Sequence, residues 1–201
     1  MLEDRAIGSM APGCYGAPGQ GALTLREIII ARAWNVQGDC ARSTAEAAVR
    51  ERFGVALPRE PNTTAANDRW MLLWLGPTSW LAVAAAADSA SDPSFNASRD
   101  ALNAAGAALF DVSAARAGWT LAGPRAATVL AKACPLDFDA RAFPTGGCAQ
   151  SVYGHINALY YRQGSDTFTM LVSSSYRRDA WHALCVSAAQ YGYEVLPPQA
   201  V

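Results

Sequence analysis

Lysine is nearly missing from this 201-residue sequence; Lys132 is the only one, and arginine supplies the rest of the 16 basic residues. Charged residues of both signs make up 16% of the chain, against about 25% in ordinary soluble domains. The formal net charge is −1, so there is no basic field to neutralise phosphates and nucleic acid is excluded as a partner. Histidine is as scarce: His155 and His182 stand alone on different elements. With no CxxC pair beside them, no metal-ligand spacing arises. The five cysteines, Cys14, Cys40, Cys134, Cys148 and Cys185, are odd in number, which fits reduced thiols in a cytoplasmic protein better than a disulfide framework. No apolar run reaches the roughly 18–20 residues that span a bilayer, and the N-terminus lacks a charged-then-apolar leader pattern.

What is present is alanine, tryptophan and 51% hydrophobic residues. That composition fits either an alanine-rich fold or a surface normally covered by a partner. The first 22 residues are rich in Gly, Ala and Pro and read as a flexible arm. Residues 23–36 (LTLREIIIARAWNV) predict one strand and a turn. Ser43 and Glu46 have capping-box spacing for a helix that runs to Phe53, with Gly54 in the left-handed position after it. Pro58 and Pro61 make 57–68 a loop, and Arg69 to Leu75 an apolar strand. Leu81 to Ala86 is strand or buried helix, and Asp92-Pro93 opens a helix ending at Gly106.

The second part echoes the first, with strands at Ala108–Val112 and Trp119–Ala122. A helix opened by Pro124 and stopped by Cys134-Pro135 follows, then a long strand Cys148–Tyr161 and a hairpin into Phe168–Val172. Ser173, Ser174 and Ser175 are expected to cap a last helix from Tyr176 to Tyr191. Strands in hairpin pairs between helices predict an α+β fold, with mostly antiparallel sheets and helices on one side. The expected arrangement is a single domain, 23–201, with two β/α halves of about 23–107 and 108–196. The Gly-Pro of Leu75-Gly76-Pro77 and of Ala122-Gly123-Pro124 hints at a repeat.

No catalytic constellation emerges. Gly16, Gly19 and Gly21 follow no strand, so they are not a dinucleotide fingerprint. There is no G-x-S-x-G elbow, and Cys148 and His155 fall on opposite faces of their putative strand. His182 reads as a surface residue, while Cys134 and Cys185 read as small hydrophobes. Trp70 and Trp74 share one strand face, as core or as an aromatic patch under a partner protein.

Several separated stretches together resemble the gamma subunits of heterotetrameric sarcosine oxidase. They are Asp111-Val112-Ser113, Ala115-Arg116, Leu121-x-Gly123-Pro124, Leu130-Ala131-Lys132, Cys134-Pro135-Leu136-Asp137 and Cys148-Ala149-Gln150. Leu73-Trp74-Leu75-Gly76-Pro77 with Trp80-Leu81, and Leu57-Pro58 through Glu60-Pro61-Asn62, extend the match. The sequence departs from the family at Ala133, where Gly is usual, and at Asp139-Ala140, where His-Pro is usual.

The resemblance implies a non-catalytic chain in a complex with alpha, beta and delta subunits that oxidatively demethylates sarcosine or a related N-methyl amino acid. FAD, FMN, NAD and tetrahydrofolate would lie on the other subunits, with no cofactor or metal on this chain. The fold would resemble the folate-binding domain of the glycine-cleavage T-protein. A free-standing folate-dependent one-carbon protein of that type is the alternative, and a scaffold in an unrelated complex is a third reading. Asp111 and Arg116 are expected to pair across a turn, and Leu121, Val129 and Leu130 to lock a helix to the sheet. The long connection 135–147 is expected to dock on a catalytic subunit through Asp137, Asp139, Arg141 and Phe143, with Trp70 and Trp74 as further interface candidates.

Overall fold

A computed structural model describes residues 11–17, 23–39, 43–84 and 94–200. The chain divides into two compact units, one built from described residues up to 29 together with 115–199, the other from described residues between 30 and 114. These bounds differ from the expected halves because the first long apolar stretch does not form one strand. It breaks into β2 (Thr24–Ile29) and β3 (Ala33–Gln37), which belong to different sheets.

The discontinuous unit holds a seven-stranded sheet. Its strands are β1 (Gly13–Tyr15), β2, β8 (Arg116–Ala122), β9 (Cys148–Tyr153), β10 (Ile156–Gly164), β11 (Thr167–Ser173) and β12 (Tyr193–Ala200). Their order is β1-β12-β2-β8-β11-β10-β9. Strand alternation sorts the side chains. Trp119, Leu121, Phe168, Met170 and Tyr160 face α3 (Ala126–Ala131) and α4 (Arg177–Ala188), and join Val129, Leu130, Trp181 and Leu184 in one core. Leu121, Val129 and Leu130 thus lock helix to sheet as expected, all three fully buried. Trp119 stacks on Trp181 with centroids 6.1 Å apart. On β8, between β2 and β11, Gly118 leaves no room for a side chain, since a Cβ there would collide with Leu171 Cδ2 and come within 2.9 Å of Ile28 Cδ1.

Three local expectations are corrected here. Cys148–Tyr161 is not one strand but a hairpin, with Tyr153 opposite Ile156. Its first turn residue, Gly154, has φ 62°, the requirement of a tight two-residue hairpin loop. Part of the presumed flexible arm, Gly13–Tyr15, is an edge strand on β12, and Tyr15 stacks on Tyr193. Ser173 to Ser175 donate no cap to α4, whose N-cap is Tyr176 without a side-chain hydrogen bond; Ser174–Tyr176 is instead a 3-10 turn.

The other unit holds a five-stranded sheet ordered β4-β5-β6-β3-β7, with β4 (Thr64–Ala66), β5 (Trp70–Gly76), β6 (Ser79–Ala84) and β7 (Ala108–Asp111). The helices α1 (Ser43–Phe53) and α2 (Phe95–Ala104) supply Val49, Phe53 and Leu102 to a core shared with Trp34, Trp70, Leu72 and Trp80. The cap is Ser94, whose side chain accepts from Ala97 N; Asp92-Pro93, the expected start, lies outside the described residues, as does the Ser43 side chain of the expected capping box. At the far end Ala107 N bonds to Leu102 O and Gly106 N to Asn103 O, which satisfies carbonyls the last helical turn leaves over. The Gly-Pro echo has no structural counterpart: Gly76-Pro77 turns a hairpin between β5 and β6, whereas Gly123-Pro124 leads from β8 into α3. The fold is α+β with antiparallel strand pairs and helices on a sheet face. Among the described residues no helix is long and apolar enough to cross a membrane.

The Gly118→Ala substitution is expected to lower unfolding free energy by about 1–3 kcal/mol through overpacking. Urea denaturation with an unchanged m-value would show it; an unaltered midpoint would mean that the strands can separate at no cost.

Candidate interaction surfaces

The connection between α3 and β9 lies on the same sheet face as α3 and α4, over the part that those helices do not cover. Phe138 and Phe143 point inward, 4% and 6% exposed. Phe138 meets Tyr160 and Phe168 edge-on, at 5.5 and 5.6 Å between centroids, and Phe143 stacks on Phe168. Burying a loop also buries carbonyls that no sheet or helix satisfies. Arg162, buried on β10, supplies the donors. Its Nη1 donates to Phe143 O at 2.8 Å and Phe138 O at 3.3 Å, its Nε to Gly164 O at 3.0 Å, and its Nη2 to Ser165 O. Its main chain adds Arg162 N to Gly147 O at 3.0 Å and Gly146 N to Arg162 O at 2.9 Å. Its guanidinium carbon lies 4.9 Å from the Phe168 ring centroid. Sequence reasoning missed Arg162; the available signal was a lone charge in the apolar alternation Ala158, Tyr160, Arg162.

The outer face of the same loop carries Asp137, Asp139 and Arg141, all exposed. Asp139 N donates to Asp137 Oδ1 at 2.9 Å. Asp139 Oδ1 accepts from Arg141 N and Nε, both at 3.0 Å. The Arg141 backbone N–H, and next its guanidinium, hold the Asp139 carboxyl below the usual carboxylate range. The Arg141 side chain is 94% exposed, leaving most of its donors free for another molecule. The loop therefore separates the expected docking residues into an inward Phe143, which is core and not contact surface, and three outward polar ones.

Trp70 is corrected in the same way. It is 1% exposed and packs with Trp34 and Phe53, each at 5.0 Å between centroids. The Arg52 guanidinium caps this trio, 4.7 Å from Trp34, 5.3 Å from Phe53 and 5.1 Å from Trp70, while its Nε donates to Ser98 Oγ at 2.6 Å. Trp74 shares the face of Trp70 but sits at the margin of the core, partly buried.

Asp111 does not take Arg116. Its Oδ1 accepts from Ser113 N at 2.9 Å and Ser113 Oγ at 2.6 Å, an Asx-type turn that the intervening serine made available. His155 and His182 are exposed, and Cys134, Cys148 and Cys185 are buried free thiols. Burial pushes the Cys185 thiol up, away from the nucleophilic thiolate. Among the described residues no three His, Cys, Asp or Glu side chains come together as a metal site.

Two antiparallel sheets with helices on a face define an α+β fold of the kind found in the glycine-cleavage T protein. A glycine cleavage system aminomethyltransferase T from Bartonella henselae superimposes with TM-score 0.60 over 89% of this chain and 48% of that one, at 18% identity. That likeness is one of fold. The sequence profile of the sarcosine oxidase gamma subunit family matches residues 37–190, and the chain belongs to this family. A sarcosine oxidase subunit gamma from Corynebacterium sp. (strain P-1) is 30% identical over 87% of this chain and 84% of that protein. One from Arthrobacter sp. is 32% identical over 75% and 72%. A chain of the heterotetrameric sarcosine oxidase from Corynebacterium sp. U-96, in complex with pyrrole 2-carboxylate, superimposes with TM-score 0.77 at 28% identity, covering 88% of each chain.

Inner and outer loop residues should respond differently to truncation. Phe143→Ala is expected to cost about 3–5 kcal/mol, and Arg141→Ala less than about 0.5 kcal/mol, in chemical denaturation of the isolated chain. Equal effects would contradict the burial pattern. Arg162→Ala strands buried carbonyls and should speed tryptic cleavage at Arg141 markedly; unchanged proteolysis would show that the clamp does not hold the loop. In an NMR pH titration the Asp139 midpoint should lie below 3.8 and rise only partway in Arg141→Ala, because the backbone hydrogen bond remains. With a depressed folded pKa, this contact stabilises the loop above the unfolded pKa and is lost as pH falls through the folded value.

Proposed function

We propose that this chain is the gamma subunit of a heterotetrameric sarcosine oxidase, a structural component without catalysis of its own. The superposition on a chain of the heterotetrameric enzyme, over 88% of each chain, carries this reading. In it the chain assembles with alpha, beta and delta subunits in the cytoplasm. FAD, FMN, NAD and tetrahydrofolate are held by those other subunits, and the complex oxidatively demethylates sarcosine or a related N-methyl amino acid. The outward residues of the clamped loop, Asp137, Asp139 and Arg141, together with Trp74, form the contact surface. Holding the loop from within by Arg162 and the phenylalanines presents those polar groups in one arrangement, which lowers the ordering cost of docking.

An affinity purification of the tagged chain from its native cells tests this. A yellow eluate with a large and a medium flavoprotein chain, active on sarcosine, is the expected result. A colourless chain that emerges alone at native expression would reject the subunit role. Charge reversal at Arg141 with Asp137→Ala should reduce flavin recovered per tagged chain while leaving the isolated chain's melting temperature unchanged.

A further inference from the structure

At one end of the seven-stranded sheet β1, three residues long, lies beside β12, which has eight. Without β1, β12 would be the sheet edge. Tyr193 and Val195 bury their side chains in the core, and Glu194 N donates to Leu23 O at 3.0 Å, on the β2 side. Backbone groups alternate in direction along a strand, so those of Tyr193 and Val195 point the other way, outward. These are the positions that β1 meets, with Tyr15 opposite Tyr193 and Gly13 opposite Val195. The next outward position is Pro197, which has no N–H to offer a neighbouring strand. The cover given by β1 therefore ends where proline begins.

Several contacts seat β1. Tyr15 stacks on Tyr193 with centroids 5.8 Å apart and packs against the core. Beyond it Ala17 N donates to Ala189 O at 2.8 Å, taking a carbonyl that the end of α4 leaves over. Between the two, Gly16 has φ 80°. A Cβ on Gly16 would collide with Ala189 O and lie 3.0 Å from Ala189 Cα, so backbone conformation and space both require glycine there. An uncovered strand edge is a template for another chain. A second copy presents the same edge, and two like edges can pair about a two-fold axis.

We infer that β1 is a guard strand, which occupies the outward pairing positions of Tyr193 and Val195 and so keeps β12 from pairing with β12 of a second copy of this chain. Pro197 closes the position that follows, and Gly16 with Ala17 forms the clasp that holds the guard on the end of α4.

The test uses the full-length chain in three forms: wild type, the unseated variant Tyr15→Ala with Gly16→Val, and the unseated variant carrying Glu194→Cys as well. Light scattering over a concentration series reads the mass, and amide hydrogen exchange at Tyr193 and Val195 reads whether the edge is open. Cys14 lies opposite Glu194, and both are exposed. In a pair of this non-hydrogen-bonded type the Cα atoms are about 4.5 Å apart, within disulfide range. The thiol introduced by Glu194→Cys should therefore close on Cys14 under mild oxidation at low protein concentration. Wild type is expected to keep one mass throughout. The unseated variant should exchange both amides faster, and its mass should climb with concentration to twice that of wild type or more. Oxidation of the third form should return the wild-type mass, and reduction should release it again. Faster exchange with unchanged mass overturns the inference, because the edge is then open and unused. Unchanged exchange overturns it too, since β1 would not be what shields these amides. Association that persists in the oxidised form, or no disulfide with Cys14, also counts against it, the first assigning association to another surface or to partial unfolding. So does a wild type that already associates as strongly as the unseated variant.

Discussion

The buried guanidinium of Arg162 is the contact on which the longest irregular segment depends. Residues 135–147 cover part of a sheet face, where α3 and α4 cover the rest. A helix satisfies its own backbone while it buries side chains; a loop does not. The loop can lie there because one side chain carries enough donors to meet Phe138, Phe143, Gly164 and Ser165 oxygens at once. No carboxylate is needed, since the carbonyl dipoles and the Phe168 ring surround the charge. Lysine, a point charge with three donors, has no such fork.

The same arrangement gives the loop two unlike faces. Phe138 and Phe143 hold it down, and Asp137, Asp139 and Arg141 hold one another on the outside. In the other unit Arg52 plays a comparable part, sealing the Trp34–Phe53–Trp70 cluster while tying α1 to α2 through Ser98. Arginine thus serves as a structural residue at both places, buried as Arg162 and half-buried as Arg52. That gives the near-absence of lysine a physical consequence, whatever produced it.

Much of the local structure was legible in the sequence. The end of α1 at Phe53, with Gly54 in the left-handed region, and the start of α3 follow from turn chemistry within a few residues. The face of α4 that carries Trp181, Leu184, Cys185 and Ala188 follows from helical spacing. Other features escaped because their signal was short or shared. Gly154-His155 is a two-residue hairpin inside an apolar run that reads equally well as one strand. Asp111 had two polar neighbours within reach, and the nearer, Ser113, took it. Trp70 and Phe143 show the limit of residue type as a guide to surface, because large aromatics serve cores and interfaces alike.

By itself, the sequence determined the α+β class, the family, and the absence of a nucleic-acid field, since these depend on composition, periodicity and ordered motifs. Only the tertiary structure decided which sheet each strand joins. β2 and β3 are separated by a few residues and are both apolar, yet one pairs with β8 and the other with β6 and β7. Strand pairing is a long-range choice made by the whole set of partners. It was also the tertiary structure that assigned the arginines, burying Arg162 among carbonyls and setting Arg52 over aromatic rings, because satisfaction of a guanidinium depends on atoms brought from distant parts of the chain.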